Sequence, residues 1–294
     1  MKISIVTPVL NGNRYISETI ASVITQRGNF SIEYIIVDGL SRDGTVATVA
    51  YYQKLMADKR WPLQCKSVTL KFISEPDIGI YDGVNKGFAA ATGDIFAYIN
   101  SDDIYLPGAF QQIVNVFQWN KRIRWLKGIS SFIDEDSAIR TFGEPYLYDR
   151  RMIRKGAYGR YTYFIQQDSV FWKRDLWDQC GPIDTKHSLA GDFYLWRRFA
   201  RITRLYTLAK YVSCFRIVKG QLSTDSNKYR KECNDITPVD GLLRLRYMVY
   251  HHFQYRLPKG IARIASLLLL GDQDLNTIVI HKNKILLRKS KFYA

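Results

Sequence analysis

Through the first third of the chain, short β-branched runs alternate with longer stretches of helical period. Strands are read at Ile3–Val9, Ile32–Val37, Val68–Ser74 and Ile95–Ile99. Between them Ile16, Ile20, Val23 and Ile24 share one helical face, as do Ile80, Val84, Phe88 and Ala91. Phe110, Ile113, Val114 and Phe117 form another beyond the fourth strand. This βαβαβ order predicts an α/β fold with a doubly wound sheet, whose ligand crevice lies beyond the carboxyl ends of the strands. The polar segments at those ends are Pro8–Asn13, Asp38–Thr45 and Asn100–Asp103, so three strand ends converge on one crevice.

Residues 120–235 carry aromatic-rich runs and two further strands, Trp125–Ile133 and Ser169–Trp172, read as continuing the sheet and supplying its other wall. From Val239 to Leu257, Leu242, Leu243, Leu245, Met248, Val249 and Phe253 alternate with Arg244, Arg246 and His251, which predicts an amphipathic helix. The chain thus divides into 1–115, 116–237 and a basic extension, 238–294, without internal repeats or low-complexity linkers. The opening apolar run is broken by Pro8 and Asn11, and Ile264–Leu270 falls short of the ~20 residues a spanning helix needs. Neither a secretion signal nor a membrane span is expected. Cys65, Cys180, Cys214 and Cys233 are widely separated and form no CxxC pair, which fits a reducing, cytoplasmic setting.

With 294 residues and 47% apolar content, the chain has enough material for a sizeable core, which excludes disorder. Its net charge of +16 would suit nucleic acid, anionic lipid or a phosphorylated substrate, but it is unevenly placed. Residues 1–115 carry −1 and the remainder +17. No nucleic-acid recognition motif is present, and Gly-x-Gly-x-x-Gly, Walker and nucleophile-elbow patterns are absent. The four histidines show no metal-ligand spacing.

Asn100-Ser101-Asp102-Asp103 places two adjacent carboxylates where the chain leaves the sheet. Carboxylates so grouped can hold a hard divalent cation that also bridges substrate phosphates, although an Asp-rich solvated turn looks the same locally. Several blocks in fixed order then resemble family-2 glycosyltransferases. These are Ser4–Pro8 with Asn11, Ile36–Gly39 with Ser41 and Asp43–Thr45, Glu75–Gly93, Asn100–Asp103, and Ala190–Trp196, covering about residues 1–225.

The resemblance implies a GT-A type fold, Rossmann-like with helices on both faces and here a C-terminal helical extension, transferring a sugar from a nucleotide-sugar donor with inversion. It implies a wall for the base at Pro8 and Asn11, base or ribose contacts at Asp38, and further donor contacts at Asp82, Lys86, Asn100 and Ser101. It also implies a Mn2+ or Mg2+ ion held by Asp102 with Asp103 in support. Asp192 matches the catalytic base, and Lys219, in a loop resembling one that closes over the donor, would meet the diphosphate. Each has an ordinary alternative: Asp38 and Asp192 as caps, Lys219 on a solvent loop, and Tyr194 and Trp196 as core aromatics rather than platforms for an acceptor sugar. Two departures stand out. Asn100 occupies the first position of the family's D-x-D, which predicts weaker metal binding, and Gly39 stands where many relatives have a second Asp.

The implied partners are a UDP-sugar donor and a glycan or lipid-linked acceptor of surface polysaccharide synthesis, with no nucleic acid. The basic extension would suit the anionic inner face of a plasma membrane, or would pack on the core with a solvated basic face. A non-catalytic sugar-nucleotide-binding or scaffold protein on the same fold is the alternative, motivated by Asn100.

Overall fold

The computed structural model describes residues 1–161, 163–221, 225–242, 244–246, 248, 276–281 and 284–289. In chain order these form β1 (Lys2–Val9), α1 (Ile16–Ile24), β2 (Ser31–Asp38), α2 (Thr45–Ala57), β3 (Ser67–Ser74) and α3 (Ile80–Ala89). Then come β4 (Ile95–Tyr98), β5 (Ile104–Tyr105), α4 (Ala109–Trp119), β6 (Trp125–Ile133), β7 (Ile139–Thr141) and α5 (Arg150–Arg154). A 3₁₀ turn (Gln167–Ser169), β8 (Val170–Lys173), α6 (Arg174–Cys180), α7 (Gly191–Ile202), β9 (Tyr206–Arg216), α8 (Ser226–Ile236), β10 (Asn276–His281) and β11 (Lys284–Lys289) follow.

One mixed sheet runs β11-β10-β9-β6-β8-β4-β1-β2-β3, with β5 on β9 and β7 on β6. β1, β2 and β4 are parallel neighbours, while β8 is antiparallel to both β4 and β6. The chain goes from β1 outward to β2 and β3 and returns to β4 on the other side of β1. The strand order therefore reverses between β1 and β4, and a crevice opens at their carboxyl ends. Residues 116–237 do continue the sheet, since β6 and β9 pair in parallel over most of their length.

The predicted apolar faces bury as read. Ile16, Ile20, Val23 and Ile24 of α1, with Val49 of α2 and Phe110, Ile113 and Phe117 of α4, cover one side of the sheet. On the other side α3, α6 and α7 close an aromatic core in which the Trp125 and Trp196 rings stack at 5.6 Å and Phe88 lies on Phe96 at 5.1 Å. The expectation of a helical C-terminal extension needs correction at its end. β10 and β11 form an antiparallel hairpin that adds to β9, because alternation in Ile278, Ile280 and Ile285 lets one face cover the sheet edge. Of the amphipathic stretch 239–257, residues 243, 247 and 249–257 lie outside the described residues, and Gly241, Leu242, Arg244–Arg246 and Met248 are helical. Lys282, Asn283, Ser290 and Lys291 of the basic tail also lie outside. No helix among the described residues is long and apolar enough to cross a membrane.

A buried carboxylate ties the first three strands together. Glu33 of β2 accepts from the Ser4 hydroxyl of β1 at 2.6 Å, Lys71 of β3 at 2.7 Å, and the Thr92 backbone N–H at 2.7 Å. Despite burial, these donors hold its pKa down at about 2. A depressed carboxylate contributes stability above the unfolded pKa of about 4.5, and that stability drains away as pH falls toward 2. Glu33→Gln should therefore cost up to ~3 kcal/mol at neutral pH, with the gap to wild type narrowing below about pH 4, as measured by urea unfolding at both values.

Candidate active site

Two loops form one lip of the crevice, knitted to each other. The turn after β1 donates from Asn11 N–H to Ser41 Oγ at 2.7 Å, while Asn11 Oδ1 accepts from Arg42 N–H at 2.9 Å. Gly12 donates to Thr45 and Asn13 to Asp43. Asn11 adopts φ +52°, a conformation Asn tolerates, and Pro8 is buried behind it. A side chain on Gly12 would meet Val9 at 2.6 Å and Ser101 Oγ at 3.0 Å, so glycine lets this turn approach the acidic turn.

Asp38 differs from expectation. It is fully buried, accepts from Ser41 N–H through both oxygens at 3.2 Å and from the Ser74 hydroxyl at 2.8 Å, and presents no open face to a base or ribose. Its shape-giving role follows from its place as the last residue of β2, still paired with Val9 and Ser74 on the neighbouring strands. Beside it, a side chain on Gly39 would meet the Asp77 carboxylate at 2.5 Å. Asp77 thus occupies the space that a second acidic residue after Asp38 would need.

Across the crevice, the acidic turn is held from below. The Thr19 hydroxyl of α1 donates to the Ser101 carbonyl at 2.9 Å and the Asp103 carbonyl at 2.8 Å. Arg216, at the end of β9 and with no solvent exposure, donates from its backbone N–H to Asp103 Oδ1 at 2.8 Å and from Nε to the Asp102 carbonyl at 2.7 Å. The same guanidinium reaches the Asp134 carbonyl, Ser137 and Glu18, and lies 4.3 Å from the centre of the Tyr15 ring.

Asp103 consequently points inward, a correction to its expected place beside a metal. Burial, then the charges of Asp102 and Asp168, push its pKa well above the carboxylate range. Asp102 is the half-buried carboxylate of the turn; desolvation raises it, opposed by the Arg216 charge. Asn100 Oδ1 is buried without a hydrogen-bond partner among the described residues. No group of three or more His, Cys, Asp or Glu that could hold a metal occurs among the described residues. The Asp102 carboxylate and the unpartnered Asn100 amide oxygen, two positions apart on one turn, are oxygen donors of the kind a hard cation takes together with waters.

Asp192 opens α7, where its Oδ1 accepts from Phe193 N–H at 2.6 Å. Desolvation outweighs this bond and the nearby Tyr81 hydroxyl, pushing its pKa up to about 7, with Glu232 adding repulsion. The loop before it is moored by Glu232 of α8, which accepts from the backbone N–H groups of Ser188, Leu189 and Ala190 and from the Ser188 hydroxyl. Tyr81 of α3 donates to the Leu189 carbonyl at 2.9 Å. Tyr98, the last residue of β4, is buried, and its pKa is raised first by that burial and then by the charges of Tyr81, Asp192, Asp168 and Asp103. Asp192 also lines a narrow pocket with Tyr158, Ile165, Trp196 and Tyr229. Trp196 is 3% exposed and stacked on Trp125, so it is core, whereas Tyr194 is half-buried.

Two predicted cations stand differently. Lys86 pairs with Asp82 at 3.0 Å and Glu75 at 3.3 Å, and the Asp82 bond leads in raising its pKa. Lys219 is exposed, and its backbone N–H donates to Glu135, which also pairs with Arg14 at 2.8 Å. Sequence reasoning missed Arg216, Glu232, Tyr81 and Asp77. Tyr81 and Asp77 sit within the Glu75–Gly93 block and were open to notice; Arg216 opens the loop that carries Lys219, but its partner Asp103 lies 113 positions away and those of Glu232 about 42, distances that no local pattern bridges.

Arg216→Met removes the donor to the Asp102 and Asp134 carbonyls and should cost roughly 3 kcal/mol. Asp103→Asn keeps an acceptor for the Arg216 N–H and, since burial already favours the uncharged carboxyl, should stay within about 1 kcal/mol of wild type. Equilibrium urea unfolding of the two variants checks the contrast.

The glycosyl transferase family 2 model matches residues 4–178, more than half the chain. An uncharacterized glycosyltransferase of Nostoc is 36% identical over 221 residues, 74% of this chain and 65% of that protein, so the match spans slightly under two thirds of its length. One from Haemophilus influenzae is 30% identical, covering 79% of this chain and 70% of its own. Among solved structures, Staphylococcus aureus TarS 1–349 in complex with UDP superposes with TM-score 0.57 at 16% identity, over 92% of this chain and 75% of that one. The mannosyltransferase PcManGT of Pyrobaculum calidifontis, in complex with GDP-Man and Mn2+, gives TM-score 0.54 at 16% identity, over 92% and 68%. These likenesses carry the fold, in which the nucleotide-binding neighbours share the mixed sheet and flanking helices described above. The chain belongs to glycosyl transferase family 2.

Proposed function

We propose that the chain transfers a sugar from a UDP-sugar to a hydroxyl of a glycan or lipid-linked acceptor in surface polysaccharide synthesis, with inversion. The observation that carries this reading is Asp192, which opens α7 against a narrow pocket and whose pKa is raised by burial to about 7, the range suited to a general base. In this reading the turn at Pro8–Asn11 walls the base, with Asp38 shaping it from behind. Asn100 and Ser101 line the ribose and diphosphate, and the Asp82–Lys86 pair borders the donor. Lys219, exposed on its loop, meets the departing diphosphate.

A divalent cation held by Asp102 and Asn100 Oδ1 would offset charge on the leaving diphosphate. The acceptor oxygen bonds to the anomeric carbon as the bond to the diphosphate oxygen breaks, and the acceptor proton passes to the Asp192 carboxylate. A transition state of oxocarbenium character needs no second carboxylate, because the diphosphate departs without a proton. Bound TarS and PcManGT, with UDP and with GDP-Man and Mn2+, support a nucleotide donor and a metal of this kind. Leu242, Leu245 and Met248, exposed beside Arg244 and Arg246, support docking of the extension on an anionic membrane surface.

A base with a pKa of about 7 works only as the carboxylate, so kcat/KM for transfer should rise with pH through about 7 and level off above it. Asp192→Asn should lose transfer by ~10²-fold or more and retain donor binding. Because folding buries this carboxyl at an energetic cost once it ionises, the variant should also match or exceed wild-type thermal stability at pH 8. Near wild-type turnover with saturating donor would contradict the assignment.

A further inference from the structure

Helix α7 carries a second chemistry on the side away from its core. Leu195, Trp196 and Phe199 pack inward, while Tyr194, Arg197, Arg198 and Arg201, spaced three and four residues apart, share the opposite face. That face lines an open cavity of about 470 Å³, completed by His187, Asp184 and Asp235. Three guanidiniums thus meet in one hollow with two carboxylates.

The carboxylates do not neutralise them. Among the described residues none of the three arginines forms an ion pair with Asp184 or Asp235, and Asp184 Oδ1 instead accepts from Lys186 N–H at 3.0 Å. Arg197 donates to the backbone carbonyls of Arg154 and Ile236, and Arg198 only weakly to the Pro182 carbonyl and the Tyr194 hydroxyl. Burial, with the charges of Arg201 and Arg160, draws the Arg197 guanidinium below its ordinary pKa, the mark of a cation short of anionic company. Arg198 also lies 5.5 Å from the centre of the Tyr194 ring, giving the hollow an aromatic wall.

We propose that this cavity binds a phosphate-bearing sugar, and that it anchors the charged part of the acceptor outside the reaction crevice. Guanidinium forks match tetrahedral phosphate oxygens, and the tyrosine offers a face to the sugar ring. The volume exceeds what a single carboxylate requires. Arg197 lines both this cavity and the narrow pocket that holds Asp192, so the two sites adjoin through one side chain. By helix rise, Arg197 and Arg198 stand roughly 8 Å beyond Asp192 along α7, about the span of one or two sugars. The role as an acceptor anchor rests on the transferase reading; phosphate binding itself does not.

Calorimetric titration with glucose 6-phosphate tests it, with UDP present to fill the nucleotide crevice. Arg198→Gln/Arg201→Gln removes two guanidiniums and leaves Arg197, which braces the Arg154 and Ile236 carbonyls. Lys54→Gln/Arg60→Gln removes equal charge from the last turn of α2 and the segment just after it. Wild type and the α2 variant should bind saturably, and the α7 variant at least tenfold more weakly, with glucose itself inert. Absence of saturable binding to wild type, equal loss in both variants, or binding of glucose as tight as its phosphate would overturn the proposal. So would loss in the α7 variant of phosphatidylglycerol-vesicle binding alone. Hydrolysis of UDP-sugar by wild type and the α7 variant is scored in parallel. Its absence would count against the transferase reading while leaving the phosphate titration to stand or fall by itself.

Discussion

The buried guanidinium of Arg216 is the constraint on which the site depends. A fully desolvated cation needs several partners, and it finds them in three segments: Asp102 of the acidic turn, Asp134 and Ser137 between β6 and β7, and Glu18 of α1, with the Tyr15 ring across it and its backbone N–H on Asp103. Satisfying one charge therefore fixes where the acidic turn, the start of α1 and the β6–β7 hairpin stand relative to the end of β9. The acidic turn has no freedom to move without stranding a buried donor, which is the kind of preorganisation that a phosphate-facing site requires.

The cost of that order appears in the carboxylates. Asp102, Asp103 and Asp192 are all pushed upward by loss of water, unlike Glu33, whose donors overcome its burial. Glu33 lies in the part of the sheet that only has to hold together. A desolvated carboxylate is relieved by a proton or a cation, so these three groups are the ones poised to take either.

Much of this was legible in the sequence, for identifiable reasons. β1, β2, β4 and β6 announce themselves because strands buried along nearly their whole length are rich in β-branched and aromatic residues, β3 because Val68, Leu70 and Phe72 alternate toward the core, and α1 and α4 because their apolar residues recur at helical spacing. β9 was harder to see, since Lys210, Tyr211, Ser213 and Arg216 interrupt its apolar pattern. The hairpin at the C-terminal end was missed because its basic residues, in alternation with Ile and Leu, read equally well as an amphipathic surface. Asp192 was found from its motif, but its neighbours Tyr81 and Glu232 come from elements far along the chain. The roles of Asp38 and Asp103 were implied by the family resemblance; the structure turns both inward, where burial and hydrogen bonding decide what a carboxylate does.

The central claim is that the Asp102 turn receives a nucleoside diphosphate together with a divalent cation. Titrating UDP into the wild-type protein and Asp102→Asn, with Mn2+ and with EDTA, tests it most directly. The account predicts tight binding to wild type only with Mn2+, and weak binding under the other three conditions. Equal affinity in EDTA, or in Asp102→Asn with Mn2+, would contradict it.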